Sequence, residues 1–389
     1  MTDRIWNSRF IRIFIAATLF QLANQIIMTV LPLYLNDLNF APSVLGLGHA
    51  LSALASTAGA PLAGALADKR GKTPVLVCGF LLMGASMLGF IAFPFMLPIM
   101  IIRLLQGLSF PAGSVAYTAI AADVLPREKV RNGLSYFGIA ATIAGAAGPF
   151  VGYRLISGTN YSPTWVGGAV IFGIGALLAL TLRGGSVSAQ KTSAVIKTKG
   201  LWNIFEKSAF LPGLIQLIFM ASSSAYAYLP TFGVEIGARD ISLFFTLQAV
   251  ASLGANLFLG RTIHKVTDPR WMLVSGWLMC AASFLCLFLV KGNTLFYMAG
   301  ALYGLGNGVI CTAVSALSMA KAPENRRGAA AATYNCMGSL GYSLGSLLWG
   351  IAVGAMGYRN IYGIAVMLPI AALILSLRAF RPSGAKGRV

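Results

Sequence analysis

The sequence predicts an all-α integral membrane protein with 12 transmembrane helices in two pseudo-symmetric six-helix bundles. Three observations predict it. Of 389 residues, 57% are hydrophobic and only 10% are charged, against about 25% charged in a soluble domain. Apolar runs of about 20 residues, each long enough to cross roughly 30 Å of hydrocarbon as a helix, recur along the whole chain. The second half also repeats the first.

The first six runs lie at about 11 to 35, 43 to 66, 74 to 93, 97 to 121, 132 to 153 and 163 to 182. The next six lie at about 209 to 232, 241 to 260, 271 to 290, 294 to 318, 328 to 352 and 360 to 379. Twelve such runs in succession exclude a large soluble core. Between the sets, Arg183 to Lys207 is rich in Gly, Ser, Thr and Lys and reads as a cytoplasmic linker, with a short surface helix expected around 201 to 207. The domains expected are an N-terminal bundle at 1–183, the linker at 184–207 and a C-terminal bundle at 208–389.

The repeat is read at an offset of about 196 to 198 residues, where LPLYL at 31 to 35 meets LPTFG at 229 to 233. In the same order Gly64 meets Gly260, Gly107 meets Gly304, Pro126 meets Pro323, and Gly145 and Gly148 meet Gly341 and Gly345. Such an ordered series indicates a parallel repeat with a cavity between the bundles.

Cations set the orientation. With the N-terminus inside, Lys69, Arg70, Lys72, Arg127, Lys129 and most others fall in cytoplasmic segments, and only Arg154, Arg239, Lys291 and Arg359 fall opposite. The positive-inside bias then places both termini in the cytoplasm of a multi-pass protein of the cytoplasmic (inner) membrane. The net charge of +19 is spread over short loops with no basic groove or stacking platform. Anionic lipid headgroups are therefore the expected partner, not nucleic acid. The N-terminal run is too long for a cleaved signal and is expected to stay as the first helix. All five cysteines lie in predicted spans without a CxxC pair, so they read as apolar core thiols, and neither metal nor cofactor is expected.

GALADKRGKTPVL at 64 to 76, between spans two and three, resembles the signature loop of the major facilitator superfamily, with Gly64, Leu66, Asp68, Gly71 and Lys72 in the expected places. Its degenerate second copy is GRTIHKVTD at 260 to 268, with His264 where Asp68 stands. IIRLLQGLS at 101 to 109 resembles the family's fourth-span Arg and Gly signature. AGAAGPFVGY at 144 to 153 is similar to the fifth-span Gly-Pro motif of drug and metabolite exporters, departing from it at Ala144 and Tyr153. The resemblance implies the major facilitator fold, alternating access, a monomer and the 12-span drug:proton antiporter branch.

Gating residues follow. Asp68 lies one turn after Gly64 at the inner end of span two, where a carboxylate can face the partly positive N-terminus of span eleven. Gly64 would permit close backbone approach. The resemblance implies a cytoplasmic latch of Gly64, Asp68, Arg70, Gly71 and Lys72, with Asp123 as the partner of Arg70. Gly138, Gly145, Gly148 and Gly152 form a smooth strip on span five, bent at Pro149, expected to meet the other bundle.

A polar lining is expected for the cavity. Gln21, Asn24 and Gln25 share one face of span one, where facing lipid would be costly. Gln106, Tyr117, Gln216, Ser223, Tyr226, Tyr303, Asn307, Tyr334 and Asn335 are the further substrate-binding candidates, with Gln248 and Asn256 beside them. Amides and phenols suit a small, neutral or mildly polar amphipathic solute. All ten acids lie at span ends or in loops, so proton coupling is expected from Asp37, His49 and Arg103, grouped on the outer side of the first bundle.

No HExxH, paired membrane carboxylates or phosphate-cradling loop occurs, so an enzyme is not expected. The function expected is secondary active export of a drug or a metabolite such as a metallophore by proton antiport. Symport uptake of a polar nutrient is the competing reading.

Overall fold

Hydrocarbon offers main-chain amides no water to bond, so a spanning chain satisfies them within helices. The computed structural model describes residues 6–126, 129–182, 206–262, 270–320, 322–323 and 326–379, and among these the regular structure is helical apart from one isolated bridge between Ser157 and Asn160. The first half contains α1 (Ser8–Asp37), α2 (Pro42–Arg70), α3 (Lys72–Ala92), α4 (Met96–Val124), α5 (Val130–Arg154) and α6 (Ser162–Leu180). The second contains α7 (Phe210–Ser223), α8 (Leu229–Glu235), α9 (Ile241–Thr262), α10 (Arg270–Phe288), α11 (Asn293–Ala320), α12 (Arg327–Met356), α13 (Tyr358–Ala365) and α14 (Met367–Ala379).

The α7 and α8 segments are joined by a 3₁₀ turn at Ser224–Tyr228 into one rod, and α13 and α14 form another. The helices thus make six rods in each half. By length and composition, 11 candidate spans among the described residues are apolar enough to cross a membrane. The remaining rod, α5, is 25 residues long but carries several glycines, with Arg131 and Asn132 near its start. Most of the linker, including 201 to 205, and most of the second signature copy, including His264, lie outside the described residues.

Helix ends show local reasons for stopping or starting. The Asn7 side chain accepts from the Phe10 amide at 2.8 Å and caps α1, satisfying one of the donors a helix start leaves free. Gly71, with φ +94°, separates α2 from α3 in a conformation that favours glycine. The chain divides into two compact units, Met1–Lys197 with Ser346–Ile351, and Thr198–Gly345 with Ala352–Val389.

Each half is packed by the same scheme. In the first, α4 lies against α2 and α3; in the second, α11 lies against α9 and α10. Glycine makes the closest of these approaches possible, because a Cβ on Gly107 would collide with the Ser52 carbonyl, and one on Gly304 with the Gln248 carbonyl.

The turn after the first rod is copied almost bond for bond. Leu38, Asn39 and Phe40 amides donate to Tyr34, Asn36 and Leu35 carbonyls, and Ile236, Gly237 and Ala238 donate to Phe232, Val234 and Gly233. Asn39 (φ 59°) and Gly237 (φ 65°) both adopt the left-handed conformation that closes such a helix end.

Candidate functional site

A charged side chain inside a bundle must find partners, and Arg103 finds them on α2 and on its own helix, α4. It is 1% exposed. Its Nε donates to the Gly48 carbonyl at 3.3 Å, one terminal nitrogen donates to Gln106 Oε1 at 2.8 Å, and the other lies 3.1 Å from His49 Nδ1. Gln106 Nε2 then donates to Ser86 Oγ at 2.9 Å, which carries the network to α3. Gly48 admits the guanidinium stem, since a Cβ there would lie 3.3 Å from Arg103 Cγ.

Two of the three proton-coupling candidates therefore meet, and the third does not. Asp37 Oδ2 accepts instead from the Tyr161 hydroxyl at 2.6 Å. Burial, with the Asp37 carboxylate beside it, pushes the Tyr161 hydroxyl well up from its ordinary value, so it stays a donor. Gln106 is likewise tied into the Arg103 network and is not a free lining amide. Tyr117 packs edge-on to Phe20 and tilted against Phe137, at 6.2 and 5.2 Å between ring centres.

Gln21, Asn24 and Gln25 are half-buried, and none of their side chains hydrogen-bonds another described residue. In the second half Tyr226 and Tyr303 stack at 3.9 Å, and the Tyr226 hydroxyl lies 2.7 Å from Ser283 Oγ. Gln216, on the same rod as Ser223 and Tyr226, is 3% exposed, and its Oε1 has no hydrogen-bond partner. Asn307 Nδ2 reaches Ser252 Oγ at 3.4 Å, while Tyr334 is half-buried and Asn335 exposed. The second half thus brings Tyr226 and Tyr303 together and leaves Tyr334 and Asn335 on α12.

Among the gating residues the Asp123 pairing needs correction. Asp123 pairs with Lys72, at 2.5 Å from Nζ, rather than with Arg70. Arg70 is the last residue of α2, whereas Lys72 starts α3 and rides beside α4. A Cβ on Gly64 would meet nothing within 4 Å. Asp68 and Arg70 stand exposed at the end of α2.

In the fifth-span strip, two glycines pack against α1 of the same half. A Cβ on Gly148 would lie 2.5 Å from Gln25 Cβ, and one on Gly152 would lie 2.8 Å from Val30 Cγ2, both on α1. Its counterparts behave alike: Gly341 and Gly345 of α12 face Leu217 and Ala221 of α7. The α5 helix runs on through Pro149, as α1 does through Pro32.

Sequence reasoning missed Ser86, Ser283 and Tyr161, although Ser86 and Ser283 stand 197 residues apart and the repeat spacing marks them. It also missed Glu206. That carboxylate pairs with Arg326 Nε and accepts from the Ser208 amide and hydroxyl, while the Glu206 amide donates to Thr333 Oγ1 at 2.9 Å. The Ser208 hydrogen bonds, with Arg326, hold Glu206 below the usual carboxylate range.

Comparison with known proteins places this architecture. The chain is 25% identical over 388 residues to a staphylopine export protein of Staphylococcus aureus, covering 94% of this chain and 95% of that one. It is 27% identical over 225 residues to the quinolone resistance protein NorA of Staphylococcus aureus, covering 57% of this chain and 58% of the relative. Among solved structures, a bacterial homologue of the human lysosomal transporter Spinster superposes with a TM-score of 0.78 at 13% identity, over 99% of this chain and 100% of that one. The nucleoside transporter NupG superposes with a TM-score of 0.76 at 14% identity, over 96% of this chain and 100% of that one. The family model for the Major Facilitator Superfamily matches residues 13–239 and 217–388, and the chain belongs to that superfamily of multi-pass membrane transporters.

Proposed function

We propose that this transporter exports a small amphipathic solute across the cytoplasmic membrane by alternating access, in exchange for protons. The observation that carries export is the match to the staphylopine export protein over nearly the full length of both chains. The NorA match, over about half of each chain, supports the same direction. The six-rod halves are the moving parts, and the exposed Asp68 is the cytoplasmic latch that shuts against the span-eleven N-terminus. Contacts of this kind contribute roughly 0.3 to 1 kcal/mol each, which biases a two-state equilibrium without freezing it.

The Arg103 and His49 pair supports the proton part. A proton on His49 would put two cations about 3.1 Å apart in a buried site, and their repulsion would drive the guanidinium to rearrange. Protonation and helix position are then coupled. Aromatic and amide groups of the second half, Tyr226, Tyr303 and Gln216, bind the solute.

Vesicles with an imposed pH gradient test the reading. The wild-type chain accumulates a fluorescent efflux substrate against its gradient. His49→Ala retains downhill flux but loses the pH-driven component. Unchanged coupling in His49→Ala would remove the pair from the mechanism. Hypersensitivity of a deletion strain, with higher intracellular accumulation, supports export; failure to grow on a solute would point to uptake instead.

A further inference from the structure

The end of α1 away from the N-terminus opens on a cavity of about 440 Å³ lined by Tyr34, Asn36, Asp37, Asn39, Thr159 and Tyr161. A cavity of about 430 Å³ lies at the equivalent place in the second half, with Glu235 and Tyr358 standing 198 and 197 residues after Asp37 and Tyr161. The frames match, but the charges do not. Lys291 and Arg359 line the second cavity beside Glu235, whereas among the described residues no cation lines the first.

We propose that the Asp37 cavity is a binding site for an organic ammonium group. Asp37 accepts one hydrogen bond, from Tyr161 at 2.6 Å, and a carboxylate has lone pairs left on both oxygens. Tyr34 and Tyr161 flank it with ring centres 5.4 Å apart and planes at 70°. Electron-rich rings beside a carboxylate attract a cation that also carries apolar surface. The Asn36 and Asn39 amides and the Thr159 hydroxyl supply acceptors for any N–H groups.

A metal ion fits poorly, because calcium takes six to eight oxygens with several carboxylates and the lining holds one. In the matched cavity Lys291 and Arg359 line the wall with Glu235, so their charge opposes the same ligand. The second cavity therefore serves as an internal control. The site stands apart from the Arg103 and His49 pair, since Asp37 bonds to neither.

Calorimetric titration of the purified full chain with tetraethylammonium chloride, at constant ionic strength set with sodium chloride, tests the assignment. The wild-type chain is expected to show saturable binding. Asp37→Asn weakens it about fivefold or more, as loss of one partly exposed charge contact predicts. Glu235→Gln leaves it within about twofold. Thr159→Arg places a cation in the exposed mouth without touching the Asp37 and Tyr161 bond, and should weaken binding as much as Asp37→Asn; it decides the matter if Asp37→Asn does not fold. Absence of saturable binding to the wild type overturns the assignment. So does wild-type affinity in Thr159→Arg, or an equal loss in Glu235→Gln.

Discussion

At matching positions the two halves fill the same space with opposite chemistry. In the first half a long side chain, Arg103 on α4, lies against a glycine, Gly48 on α2. In the second, the α11 position 197 residues on is Gly300, and it lies against Phe244 of α9, 196 residues on from Gly48. Ser86 and Ser283 correspond as well, one accepting from Gln106 and the other bonded to Tyr226. One half has a buried cation in an amide network; the other has a box of rings. Shape is conserved between them while charge is not, so charge in the first half is doing something packing does not require.

Breaking that charge should have the largest effect. Arg103→Ala leaves Gln106, His49 and the Gly48 carbonyl without their shared donor, and truncating one partner of a buried charged network costs about 3 to 5 kcal/mol. Its melting temperature in detergent should fall steeply. The double variant Gly48→Phe with Arg103→Gly copies the second half's solution, and should recover much of that loss while remaining inactive in pH-driven efflux. Recovery of efflux would show that Arg103 is only a spacer.

The glycine contacts sharpen the other side of the comparison, where the halves agree. Gly107→Ala and Gly304→Ala each drive a Cβ into a backbone carbonyl, and both should destabilise by about 1 to 3 kcal/mol, as overpacking does. Gly138→Ala and Gly254→Ala, with nothing within 4 Å, should be close to neutral. Folded yield and melting temperature of the four variants check this. Unequal costs at 107 and 304 would mean the halves are less alike in packing than in outline.

Much of this fold was legible because hydropathy and length act one rod at a time. The twelve rods, the repeat and the Gly107 and Gly304 correspondence need no knowledge of neighbours. Sites depend on neighbours. The fifth-span strip reads as smooth, but which helix it meets depends on the rotation of α5, and Gly148 turns out to face Gln25 of its own bundle. Lys72 displaced Arg70 as the partner of Asp123 because Gly71 breaks the helix between them. Asp37 left the expected cluster because Tyr161, at the start of the sixth rod, offers it a hydroxyl. A partner more than 100 residues away leaves no local trace.

A smaller effect separates Ser283 from Ser86. Ser283→Ala removes the 2.7 Å contact with Tyr226 and should cost about 1 kcal/mol, freeing the Tyr226 ring to reorient. Relative efflux rates across a panel of solutes should then change. Ser86→Ala should leave the ranking of solutes alone and alter the pH dependence instead, because its partner Gln106 belongs to the Arg103 network. The reverse pattern would exchange the roles assigned to the halves.

The smallest expected effect lies where the first rod of each half begins. Asn7 caps α1 with a neutral amide, whereas Glu206 stands before α7 as a carboxylate bound to Ser208 and Arg326. Because the folded state holds Glu206 below its ordinary value of 4.5, its contribution is whole above that pH and fades as the pH falls through the depressed value. Glu206→Gln should therefore melt below the wild type at neutral pH, and the gap should close on acidification. Asn7→Ala loses its cap with no such pH dependence. A gap in Glu206→Gln that stays constant into acid would show that the carboxylate's shape, and not its charge, secures Arg326 at the start of α12.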